Sequence, residues 1–124
     1  MYRQFLNETN ALAANIIELS LTETSKNEII KKAKKAANSD YINCRLFTQL
    51  VTNIPKIEKQ PRLDTPEIGA ILWWGNGNNY RHCAVALDKD TLIQVPEWGG
   101  KSEILKIKQV EKEYGPIDRI YKGK

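Results

Sequence analysis

The feature that most constrains this chain is a change of hydrophobic period partway along it. As far as Asn53 the apolar side chains recur at helical spacing, whereas after Pro66 they come in short apolar or alternating runs cut by Gly, Asn, Asp and Pro. Helices first and strands afterwards predict an α+β class, with a helix packed on one face of an antiparallel sheet.

Between Arg3 and Ser20, Phe5, Leu6, Leu12, Ala13, Ile16, Ile17 and Leu19 recur at near-helical intervals, which predicts an amphipathic helix. "TETSKNEIIKKAKKAANSD" predicts a second, with Thr24 and Ser25 as candidate caps and Ile29, Ile30, Ala33 and Ala36 on its apolar side. "SDYINCRLFTQLVTN" predicts a third. Ser39, Asp40 and Asn43 are its candidate N-caps, Leu46, Phe47, Leu50 and Val51 its buried stripe, and Cys44 falls in its first turn. The segment from Ile54 to Pro66 carries three prolines and mixed charge and reads as a loop. Five strands are then expected, in "IGAILWW", "HCAVALD", "TLIQVPE", "SEILKIK" and "IDRIYKG", with "GNGNN" as a turn. Alternation sends the Trp73 and Trp74 rings to opposite faces, at least one of them into the core.

At 124 residues, 41% hydrophobic and 27% charged, the chain has the size and composition of one folded domain. A net charge of +4 gives a weak preference for anionic partners, but the lysines of "KKAKK" and "YKGK" read as solvated faces and no nucleic-acid motif accompanies them. Nucleic acid is therefore not expected as a partner. No run approaches the ~18 apolar residues of a membrane span, and "MYRQFLNETN" lacks the pattern of a Sec leader. The expectation is synthesis in the cytoplasm with both thiols reduced, and action in the bacterial envelope only after release or secretion. One histidine and two cysteines provide no zinc-ligand spacing, so neither a metal nor a cofactor is expected.

The chemistry centres on "YRHCAVALDKDTLIQVP", which holds the only histidine, His82, beside Cys83. Successive strand residues point to opposite faces, so these two cannot serve one small site. Cys83 shares its face with Val85 and Leu87, a core pattern, whereas His82 lies with Ala84 and Ala86 and has room before it. If "DKD" forms a three-residue hairpin loop, even positions meet even positions and His82 and Gln94 become diagonal neighbours. Cys44, at the positive end of a helix dipole, is expected to have a lowered thiol pKa. Cysteine nucleophile, histidine base and a polar residue orienting the ring is the general logic of covalent acyl transfer, with first-turn N–H groups available to an oxyanion.

In that order these residues resemble the NlpC/P60 family of papain-like cysteine hydrolases. "NCRLFTQLV" is similar to its nucleophile helix, "TPEIGAILWW" to its Pro-Gly strand, "RHCAVAL" to its histidine strand and "TLIQVPEWGG" to the strand bearing its third residue. The resemblance covers roughly residues 40 to 105 and implies one domain over 1–124, with a helical N-terminal part at 1–38 and a catalytic core at 39–124. It implies Cys44 as nucleophile, His82 as general base and Gln94 as the orienting residue; Asn43 and Tyr41 are expected to face substrate, and Trp98 either to line a substrate groove or to cover the sheet edge. Asn43 stands where the family carries the acid that recognises a peptide amine, Ala70 follows Gly69 where Asp is usual, and Ala84 takes a common Gly position.

The implied activity is hydrolysis of an amide bond in a bacterial cell-wall peptide, by a monomer of phage or effector type. Two alternatives stay open: a papain-like transferase, deamidase or protease acting on a protein or lipid, and a non-catalytic protein-binding module. An inhibitor or immunity protein is admitted as a further partner.

Overall fold

The computed structural model describes residues 22–37, 43–75, 80–96 and 101–123. Helix α1 runs through residues 22–37 and α2 spans Cys44–Thr52. A short 3-10 turn, Ile57–Lys59, leads towards strands β1 (Ile71–Gly75), β2 (Tyr80–Ala86), β3 (Thr91–Gln94) and β4 (Glu103–Lys106). Helix α3 (Ile107–Tyr114) and strand β5 (Arg119–Tyr121) follow. The five strands form one sheet in the order β4-β3-β2-β1-β5. Each neighbouring pair is antiparallel.

The expected α+β architecture is present, with all five strands in their expected segments, but helices cover both sheet faces rather than one. On one face, Ala33 and Ala36 of α1 and Phe47 and Val51 of α2 pack on Val85, Leu87, Ile93 and Val95. On the other, Ile107 and Val110 of α3 close over Leu72, Trp74, Ala84, Ala86 and Leu92. Strand alternation explains this division, because the odd positions supply one core and the even positions the other. A sheet buried on both faces reads as near-continuous apolar runs, as "ILWW" and "CAVAL" do.

Helix α3 corrects the expectation of a strand over "SEILKIK". Pairing stops at Lys106, whose backbone N–H donates to Gln109 Oε1 at 3.0 Å, and the helix starts at Ile107. Good helix formers follow, with apolar Ile107 and Val110 one turn apart, and Gly115 N–H closes the end on the Glu111 carbonyl at 2.8 Å. A spacing of three in an eight-residue helix is easily taken for the tail of a strand.

Other local corrections have similar causes. Thr24 and Ser25 do not cap α1, because residues 22 and 23 are already helical. The buried stripe of α2 is Cys44, Phe47, Thr48 and Val51, while Leu46 and Leu50 are 39% and 46% exposed. That stripe keeps the i, i+3, i+4, i+7 spacing of a docked helix but admits a cysteine and a threonine. The Thr48 hydroxyl is satisfied by the Cys44 carbonyl at 2.8 Å. The Ile54–Pro66 segment is anchored as well as looped: Ile54 and Ile57 are buried with Trp73 and Tyr121, and Arg62 bridges to Tyr121. Both tryptophans are core residues, on opposite faces as alternation requires. The expected helix over Arg3–Ser20, the candidate caps Ser39 and Asp40, and most of "GNGNN" lie outside the described residues.

Candidate functional site

Asn43 sets where α2 begins. Its backbone is extended, its side-chain oxygen accepts the Leu46 N–H at 2.8 Å, and its carbonyl accepts that of Phe47 at 2.8 Å. Cys44 is therefore the first helical residue, in the turn where the dipole is positive. It is 4% exposed and belongs to the core on the odd face of the sheet. Arg45 beside it pairs with Glu58 at 2.6 Å and lies over the Trp73 ring, tying the first turn of α2 to the 3-10 turn.

His82 and Gln94 are brought together by the β2–β3 hairpin. Leu87 N–H donates to the Thr91 carbonyl at 2.9 Å across a three-residue loop, Asp88–Asp90. Asp88 Oδ1 accepts both the Asp90 and Thr91 N–H groups at 2.8 Å and the Thr91 hydroxyl at 2.9 Å, so one side chain holds the loop. Asp88 Oδ2 receives the Lys26 ammonium of α1 at 3.1 Å. Burial pushes the Asp88 carboxyl up. The opposing hydrogen bonds from Asp90, Thr91 and Lys26 prevail and bring its pKa down to about 2. The register pairs Val85 with Ile93 and Ala86 with Leu92, which leaves His82 and Gln94 diagonal on one face.

His82 Nε2 lies 2.7 Å from Gln94 Oε1. An amide oxygen only accepts, so with the Gln94 oxygen facing the ring the matching tautomer has its hydrogen on Nε2 and, when neutral, its lone pair on Nδ1. Nδ1 is buried without a hydrogen-bond partner among the described residues. The Gln94 amide nitrogen donates to Glu103 Oε1 at 3.0 Å, extending the chain of contacts to β4.

The room expected before His82 is filled by α3. Tyr114 stacks on the imidazole with centroids 4.4 Å apart and planes 5° from parallel. Trp74, the cross-strand partner of His82, lies at 5.5 Å and is itself held by a 2.8 Å hydrogen bond from its indole N–H to the Gly115 carbonyl. His82 is fully buried in consequence. Tyr114 and Glu103 are not singled out by any motif in the sequence. The only signal for Tyr114 is the turn of helix it ends, and Glu103 follows a connection from Val95 to Ser102 too long to imply a register.

The structure thus joins His82 to Gln94, while Cys44 lies on the other face of the sheet, next to Cys83. The Cys83 thiol points to the odd face, 3.5 Å from the Cys44 carbonyl and 3.4 Å from the Thr48 hydroxyl, and so pins the first turn of α2 to the strand next to His82. This is the core role expected for Cys83. No hydrogen bond joins the Cys44 thiol to Nδ1. Asn43 is occupied as a helix cap, and Tyr41 and Trp98 lie outside the described residues. Ala70 is fully buried among Leu72, Trp74 and Ala86, an apolar setting in which an unpaired carboxylate would be costly. No described cluster of three His, Cys, Asp or Glu side chains is placed to hold a metal ion, and no described helix is long and apolar enough to cross a membrane.

A capped helix laid on a five-stranded antiparallel sheet gives an α+β fold that is NlpC/P60-like. The chain is similar to the crystal structure of the NlpC/p60 domain of the peptidoglycan hydrolase SagA, with a TM-score of 0.51 and 19% identity over 78% of this chain and 97% of that one. No protein-family profile matches the chain, and no curated protein does either.

Proposed function

We propose that this protein is a cysteine hydrolase that cleaves an amide bond, with peptides of the bacterial cell wall as its substrate class. The observation that carries the reading is the 2.7 Å contact between His82 and Gln94, beside which Nδ1 is buried without a hydrogen-bond partner among the described residues and, on this reading, is the proton acceptor. The NlpC/p60 domain of similar fold comes from a peptidoglycan hydrolase, which favours that substrate class and a site of action in the envelope. The functional unit is a single domain over 1–124, its helical N-terminal part at 1–38 and its catalytic core at 39–124.

On this reading α2 must shift from its described position, in which Cys44 lies on the opposite sheet face from His82, so that the thiol can pass its proton to Nδ1 and the thiolate attack the amide carbonyl carbon. The resulting oxyanion is stabilised at the positive end of α2. The imidazolium returns the proton to the leaving amine as the C–N bond breaks, giving a thioester on Cys44. His82 then takes a proton from water, whose oxygen attacks the thioester, and the proton restores the Cys44 thiol as the acid product leaves. Gln94 keeps the imidazole in the required orientation and accepts the Nε2 hydrogen throughout.

The test is the pH dependence of iodoacetamide alkylation at Cys44, read by peptide mass spectrometry, in wild type and His82→Ala. Labelling well below the ~8.5 of a free thiol, lost in the variant, supports the activated pair and directs a screen of murein peptides. An ordinary thiol profile in both proteins rejects it. One observation favours a second reading, a non-catalytic binding module of the same fold: Cys44 and His82 are both buried, on opposite faces of the sheet, without a mutual hydrogen bond.

A further inference from the structure

We infer that Glu103 is a positioning residue that selects the tautomer of His82 through the amide of Gln94. This inference deepens the hydrolase reading and rests on it for its kinetic consequence. Glu103 stands directly opposite Gln94 in the β3–β4 register, with its carboxylate oxygen 3.0 Å from the amide nitrogen. Gln94 is 4% exposed, so both ends of its amide must find partners within the protein.

Two arrangements of the amide are sterically alike. In one, the NH2 group faces Glu103 and the oxygen accepts from His82 Nε2–H. In the other, the oxygen faces Glu103, the NH2 group meets a bare Nε2, and the imidazole hydrogen moves to Nδ1. Amide orientation and ring tautomer are therefore one coupled choice. An ionised carboxylate can only accept a hydrogen bond, so it stabilises the first arrangement and repels the second. Only the first leaves Nδ1 able to take a proton from a thiol. An acidic side chain on the outermost strand thus decides whether His82 can act as a base, with Gln94 as the relay.

His82 is the only histidine in the chain, so one imidazole accounts for the entire histidine 15N spectrum. The experiment uses 15N-histidine-labelled Cys44→Ala protein, in which no thiolate perturbs the ring, and long-range 1H–15N correlation with the imidazole neutral. The parent is expected to show the Nε2–H form. Glu103→Ala should shift it to a mixture, and Glu103→Asp, which keeps the carboxylate, should remain closer to the parent. With Cys44 present, Glu103→Ala should slow alkylation at neutral pH by about 3- to 10-fold, the scale of one charge-assisted hydrogen bond. An Nδ1–H spectrum in the parent, or an unchanged Nε2–H spectrum in Glu103→Ala, overturns the inference. If Glu103→Ala does not fold, the near-isosteric Glu103→Gln serves instead, because its amide accepts either arrangement: mixed tautomers support the coupling and an unchanged Nε2–H form rejects it. An ordinary alkylation profile in wild type would sink the hydrolase reading alone, since the spectrum of the Cys44→Ala protein still decides the role of Glu103.

Discussion

Tyr114 lies flat against His82, ring centroids 4.4 Å apart and planes 5° from parallel, although 32 positions separate them in the chain. Helix α3 thereby covers the face that carries the His82–Gln94 contact. Replacing Tyr114 with Ala removes the stack and opens the ring to solvent, and should lower unfolding free energy by about 1–3 kcal/mol in urea titrations. Tyr114→Phe, which keeps the stacked ring, should retain more stability than Ala. Equal losses in the two variants would mean that the ring contact contributes nothing.

Asn43 is accounted for by its cap on Leu46 N–H, at 2.8 Å. Asn43→Ala should destabilise the fold by about 1 kcal/mol, and Asn43→Asp, which retains the capping oxygen and adds a favourable charge at the helix start, by less. Thermal unfolding of the two variants measures the difference. If both unfold at the wild-type temperature, the cap is not supporting α2.

Cys83 is fully buried, with its thiol against the Cys44 carbonyl and the Thr48 hydroxyl. It should resist alkylation in the native state and become labelled only as the protein unfolds, giving a denaturant profile that coincides with the loss of far-UV signal. Cys83→Ala should reduce stability by roughly 1–2 kcal/mol through the small void and the lost thiol contacts. Native-state labelling of Cys83 at the rate of an exposed thiol would contradict this placement.

Asp88 makes part of the stability dependent on pH. Its folded pKa of about 2 lies below the ordinary 3.8, so its contribution is fully present above the ordinary value and is lost as pH falls through that range towards 2. Asp88→Asn should therefore be less stable than wild type near neutral pH, and the difference should shrink steadily between about pH 4 and pH 2. Urea midpoints measured across that range provide the check. A difference that stays constant with pH would show that the charge of Asp88 has no part in holding the hairpin.

The hairpin is also where local sequence was most informative. A three-residue loop at "DKD" fixes parity between two strands, and parity alone places His82 and Gln94 on one face. The start of α2 was legible for a similar reason, since Asn43 followed by a helical run is a local capping signal. Leu46 and Leu50 fit the periodicity yet are exposed, because helical periodicity shows that a stripe exists, whereas docking against the sheet selects which stripe. Here it selected Cys44, Phe47, Thr48 and Val51.

By itself, then, the sequence determined what depends on neighbours in the chain: the change from helical to strand period, the face that each strand residue takes, and the start of the helix bearing Cys44. Tertiary structure alone decided what depends on distant segments meeting. It set α3 and Tyr114 over His82, brought Glu103 to Gln94 across a register that the Val95–Ser102 connection leaves open, and put Cys44 and His82 on opposite faces of the sheet. Such contacts arise from burying two faces of one sheet at once, which local preference does not encode.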